Sequence, residues 1–188
     1  MNPKELIETL NAQIEDTFSL LELWFSKDIR LRKFRSGDEE MTIDLILEHI
    51  SLANRYLLIL IRKGTKKALR KASRADLEKE LKDYRLSSQG LEQIGINNSF
   101  IWKSPKHMIP SGERSLSEIR RELAKQQGLL LENLSLLKNG EGVLHKTSMS
   151  VNSLGRLDVY QYIYFLLKHA RRHLQQMEQI ENEYNSRR

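Results

Sequence analysis

A single long apolar stripe near the C-terminus most constrains what this chain can become. In the stretch LGRLDVYQYIYFLLKHARRHLQQMEQI, from Leu154 to Ile180, the residues Tyr162, Phe165, Leu166, Met177 and Ile180 recur at helical spacing. A helix of that length with one apolar face is stable only when the face is packed against other elements. His169 and His173 lie on the same face, one turn apart. Side chains at i and i+4 of a helix lie above one another, so two imidazoles can converge on one point inside a packed core. Arg171 and Arg172 fall between them and are expected to point elsewhere, toward solvent.

Three earlier stretches have the same period. The first runs from Pro3 to about Ser26, with Asn2 as its cap, Pro3 in its first turn and Glu5 where a capping partner belongs. Its stripe is Leu6, Leu10, Ile14, Thr17 or Phe18, Leu21, and Trp24 or Phe25. The second starts at the N-cap Thr42, with Asp44 in its first turn, and continues to about Arg62 or a little beyond Gly64. Its stripe contains Leu45, Ile46, His49, Leu52, Ala53, Tyr56, and Ile59 or Leu60. The third opens on the capping box Ser115 to Glu118 and ends at Asn139-Gly140 and Gly142. Leu116, Ile119, Leu123, Leu130, Leu134 and Leu137 form its stripe, broken midway by Gln126 or Gln127. The fourth helix, containing the histidine pair, is expected to be capped by Asn152 or Ser153.

Between the second and third helices lies a turn-rich insertion, residues 64 to 113, with one short helix expected from Ala75 to Asp83 and Ser73 as its cap. Loops this long in a compact domain usually pack over something or serve a function. Trp102 is expected to bury part of itself against the helices, and His107, between Pro105 and Pro110, to be exposed. Ser36-Gly37-Asp38 marks a turn after the first helix. The pattern predicts an all-α fold, a four-helix bundle with a long helix 2–helix 3 insertion, in one domain spanning residues 1–188.

Composition narrows the chemistry. Charged residues make up 30% of the chain and aromatics 7%, with three Pro and nine Gly, which fits a helical protein better than a sandwich or barrel. No apolar run approaches a membrane span and the N-terminus lacks a signal-peptide core, so a cytoplasmic protein is expected. Without cysteine there are no thiolate ligands, and any metal must be held by His, carboxylate or water. The net charge of +6 is concentrated in Arg30 to Arg35 and in the run from Arg62 to Arg74. Mixed signs elsewhere and the absence of an aromatic-interleaved motif argue against nucleic acid as a partner.

The metal-site hypothesis rests on His49, His169 and His173. Zinc or nickel bound by neutral imidazoles needs about three protein nitrogens and keeps an open position for water or substrate. His49 supplies the third if the second helix packs beside the fourth. Glu48 lies about 100° around the helix from His49 and is not expected to act as a base, and no HExxH motif is present. His107 and His145 fall in predicted loops and are set aside. By helical phase, Tyr56, Gln127, Tyr162 and Gln176 are candidate pocket residues.

The segments MTIDLILEHISLANRYLLILI, SLSEIRRELAKQQGLLLENLSLL and NSLGRLDVYQYIYFLLKHARRHLQQMEQI together resemble the DinB/YfiT-like superfamily. The strongest match is its helix-4 signature, here Leu154, Gly155, His169, Arg172, His173 and Gln176; Thr42 and His49 match its helix 2, and Trp102 with Pro105 its Trp-x-x-Pro element. The resemblance implies a four-helix bundle with a three-histidine zinc or nickel site, frequently a homodimer. It also implies a metal-dependent thiol S-transferase or hydrolase acting on a low-molecular-weight thiol or another small molecule. The other expectation is a non-catalytic, metal-stabilised dimeric binding protein, with the basic 62–74 run as its partner surface. An open, solvent-reachable metal position distinguishes the two.

Overall fold

The computed structural model describes residues 2–36, 41–99 and 105–187. The expected turn at Gly37-Asp38 and the expected burial of Trp102 fall outside them. In chain order the helices are α1 (Pro3–Phe25), the single turn α2 (Ile29–Arg32), α3 (Ile43–Ala72), the short α4 (Leu77–Lys82) and α5 (Gln89–Ile94), α6 (Leu116–Leu136) and α7 (Val159–Ser186). The four long ones pack as a bundle: α1 lies against α6 and α7, and α3 against the same two. α1 and α3 therefore occupy opposite corners, and α3 and α7, which carry the histidines, are neighbours.

Most residues of the expected stripes enter the core, but on α3 Tyr56 and Ile59 are exposed, because the helix turns Leu57, Leu58 and Ile61 inward instead. Leu6, Leu10 and Ile14 of α1, Ile46 and Ile50 of α3, Leu130 and Leu134 of α6, and Ile163 and Leu166 of α7 are fully buried. Each such side chain stabilises the fold by about 2 kcal/mol. Ion pairs fasten the outside. Arg171 binds Asp16 and donates from Nε to Thr17 Oγ1 at 3.0 Å, tying α7 to α1.

Helix ends follow side-chain chemistry. Asn2 accepts from Lys4 N at 2.9 Å, Thr42 from Leu45 N at 3.3 Å, and Ser115 and Glu118 bond reciprocally. Three helices differ from expectation in their boundaries, α3, α4 and α7. α3 runs on to Ala72, because Gly64 is buried at the crossing with α7: a Cβ there would lie 3.0 Å from Val159 Cγ2. Thr65 and Ala68 beyond it are also buried, so packing holds the helix past its glycine. Ser73 accordingly ends α3, and Asp76 caps α4.

α7 begins at Val159, not near Leu154. Gly155, at φ +73°, opens a strand instead, and the departure from an all-α chain is a small antiparallel ribbon of β1 (Thr147–Met149) and β2 (Gly155–Leu157). Asp158, not Asn152 or Ser153, caps the helix. Its carboxylate accepts from Gln161 N at 3.0 Å, and Gln161 Oε1 accepts in return from Asp158 N. Tyr84 Oη donates to the same carboxylate at 3.2 Å.

Burial pushes the Asp158 carboxyl up to about 6 from the ordinary 3.8. Folding thus favours its protonated form. That contribution is complete below pH 3.8 and is lost as the pH rises through about 6. Asp158→Asn keeps a capping oxygen and removes the buried charge. Denaturant unfolding should find the variant more stable than the parent by about 2 kcal/mol at pH 8. The difference should shrink toward zero at pH 4.5, and an equal difference at both pH values would show that the charge is not its source.

Candidate metal centre

His49 lies midway along the buried face of α3, between Ile46 and Ala53, and His169 and His173 lie on the facing stripe of α7. All three rings are buried. The ring centroids of His169 and His173 are 4.6 Å apart, and His49 stands 5.3 Å from the first and 4.8 Å from the second. One nitrogen from each ring falls in a group whose members lie within 4.8 Å of one another. Helix packing therefore brings the three imidazoles together, in a cluster that can hold a metal ion.

Their protonation suits that task. Burial lowers the pKa of His49, and of His169 and His173 still further, below the ordinary 6.5; the neighbouring rings and Arg172 add to the effect on the latter two. The rings are thus neutral near pH 7, each with one nitrogen lone pair. His49 Nδ1 donates to the Met108 carbonyl at 2.7 Å, which leaves Nε2 as its lone-pair nitrogen. His173 Nδ1 donates to Gln176 Oε1 at 2.9 Å, with the same result. Such partners fix the ring and the tautomer of a metal-binding histidine. The Nε2 atoms of His169 and His173 stand 3.2 Å apart. Two nitrogens bound tetrahedrally to one zinc at about 2.0–2.1 Å would stand about 3.3–3.4 Å apart, so this pair is spaced for a shared ion.

The last part of the insertion is clamped onto α3 beside the histidines. Glu48 is buried with its carboxylate turned away from the rings, accepting from Ser111 N at 3.1 Å, Ser111 Oγ at 3.2 Å and Gly112 N at 2.9 Å. Arg114 Nη1 donates to Ser51 Oγ at 3.0 Å. Residues 48, 49 and 51 thus pin one segment, and the 3-10 turn Lys106–Met108 supplies the carbonyl that orients His49.

A cavity of about 680 Å³ adjoins the cluster, with His49 and His169 in its wall. Tyr56 and Tyr162 line it as well. The Tyr162 hydroxyl donates to the Ser148 carbonyl at 2.8 Å, which fastens the β1–β2 ribbon to α7. Gln176 lies behind His173 as its hydrogen-bond acceptor and is not among the cavity residues.

Gln127 is elsewhere, in a groove between α1 and α6 beside Phe18 and Phe25. Its neighbour Gln126 is the buried one, donating to the Ser51 carbonyl at 2.8 Å, because one residue along a helix rotates the side chain by about 100°.

Arg172, expected to point to solvent, instead brings Nη2 to 3.1 Å from His173 Nε2. His107, set aside as a loop residue, stands at the exposed rim of the cavity with its ring 4.8 Å from Tyr56. The signal for it was the long insertion itself. His145 lies apart, near Lys67, Lys71 and Arg156.

No protein-family model, curated protein or solved structure matches this chain. The resemblance to the DinB/YfiT-like superfamily therefore rests on the sequence motifs and helix order alone.

Two outcomes follow from the depressed imidazole pKa values and their hydrogen bonds. Because the folded pKa values lie below 6.5, this contribution to stability is present above pH 6.5 and is lost as the pH falls toward them. Unfolding of chelator-treated protein should show a loss on going from pH 7 to 5, at most about 4 kcal/mol per pH unit for three rings. His173→Gln should reduce that slope. Gln176→Ala should weaken zinc binding about tenfold, measured by competition with a chromophoric chelator.

Proposed function

We propose that this chain binds one divalent metal ion, zinc or nickel, through His49, His169 and His173, and uses it on a small molecule held in the adjoining cavity. The observation that carries the reading is that His49 and His169 belong both to the buried cluster and to the wall of that cavity. Three neutral imidazoles are a donor set suited to zinc and nickel. An ion held there lowers the pKa of a coordinated water or thiol, supplying a nucleophile near neutral pH.

The protein's own groups do the positioning. The Met108 carbonyl and Gln176 hold the ring protons of His49 and His173 on the nitrogens facing away from the cluster. The hydrogen bond from Tyr162 to the Ser148 carbonyl keeps the ribbon over the cavity. His107, at the rim, is an imidazole able to give or take a proton from a bound molecule. Thiol transfer and hydrolysis are the two reaction classes this arrangement serves. They are also those the DinB/YfiT-like resemblance implies, together with a homodimer; a low-molecular-weight thiol suits the site because its thiolate would bind the metal directly. The cavity supports this reading over that of a purely structural metal, since a structural site closes its coordination sphere.

Elemental analysis of tag-free protein tests it. About one equivalent of zinc or nickel is expected, lost in each of His49→Ala, His169→Ala and His173→Ala and retained in His107→Ala and His145→Ala. Failure to take up metal even after zinc or nickel is added back at neutral pH would overturn the reading.

A further inference from the structure

The walls of the cavity have a composition that selects among small molecules. Its volume, about 680 Å³, is that of a ligand site rather than a packing defect. Polar groups occupy its two ends. The histidine nitrogens lie at the buried end, and Tyr56, His107, Ser148 and Asn152 at the rim. Between them the surface is aliphatic and aromatic, formed by Ala53, Leu57, Leu60, Met149, Tyr162 and Phe165. The Tyr162 hydroxyl is already bonded to the Ser148 carbonyl, so that ring offers the cavity mainly its apolar face. Among the described residues, no Asp, Glu, Lys or Arg side chain lines the cavity. Arg172 meets His173 but is not among the lining residues.

We infer that this cavity takes an uncharged, mainly apolar small molecule, an aryl or alkyl compound with one metal-binding heteroatom at its end. The inference rests on the metal reading for the direction in which the molecule enters: heteroatom toward the histidines, hydrocarbon along the wall. The apolar walls themselves decide the rest. A carboxylate placed beside Leu57 or Phe165 gives up its water shell for hydrocarbon. An aryl or alkyl group in the same place removes apolar surface from water. The reading narrows the substrate class within thiol transfer or hydrolysis, because a thiol bearing several carboxylates must keep them outside the rim.

The test uses two thiols that differ by one charge, phenylmethanethiol and 4-(sulfanylmethyl)benzoate, displacing the neutral fluorophore N-phenyl-1-naphthylamine. Displacement is measured at pH 7 on zinc-loaded and on chelator-treated full-length protein. The expected result is that the uncharged thiol displaces the dye at a concentration at least about tenfold lower in both forms. Zinc should tighten both thiols together. In Leu60→Lys, which places a cation on the partly exposed part of the wall, the ratio should fall toward one while dye binding persists. A ratio near one or inverted in the parent, no dye binding, or an unchanged ratio in a folded Leu60→Lys would overturn the inference. A ratio that stands while zinc tightens neither thiol would overturn the metal reading alone. Should Leu60→Lys fail to fold, the parent ratio still decides.

Discussion

Three imidazoles share one contact between α3 and α7, and the surrounding structure is arranged to meet the demands of burying them. A buried imidazole is favoured neutral, and it carries one donor and one acceptor that both need partners. The donors of His49 and His173 are met by the Met108 carbonyl and by Gln176. The acceptors converge within the cluster, where Arg172 already approaches the Nε2 of His173. Three nitrogens so placed form a cluster that can hold a metal ion.

The bundle supplies the histidines, but the segments between its helices complete the site. The stretch before α6 is held down by three consecutive-turn residues of α3, with Glu48 gripping Ser111 and Gly112, His49 gripping Met108, and Ser51 meeting Arg114. Displacing that stretch would remove an outer partner of His49 and one side of the cavity together. Strand β1 and the turn after it form another side and are anchored through Tyr162, about two helical turns before His169. Cluster and cavity thereby share His49 and His169 and the elements that hold them.

Charge is distributed to match. The basic side chains from Arg62 to Arg74, at the C-terminal end of α3 and just past it, are exposed on either side of its crossing with α7 at Gly64. The cavity wall is instead apolar between two polar ends. The excess of positive charge that dominates the composition therefore lies mainly on the surface, and the candidate site depends on neutral donors.

Periodicity made the four long helices and the inward phase of His49, His169 and His173 legible in the sequence, because helical geometry converts spacing directly into direction. Capping chemistry likewise placed the starts of α1, α3 and α6 at Asn2, Thr42 and Ser115. What periodicity does not encode is distance between elements. Only tertiary packing decided that α3 and α7 are neighbours, that Gln126 and not Gln127 faces inward, and that Arg172 turns to His173. Packing also carried α3 past Gly64, where Val159 needs the room, and the positive φ of Gly155 together with the Asp158 cap delayed α7 to Val159. The positions of Met108 and the ribbon were invisible for the same reason, and that of His107 was signalled only by the length of the insertion. They belong to irregular backbone, whose side chains follow no period and whose position is set by the groups on α3 and α7 that hold it.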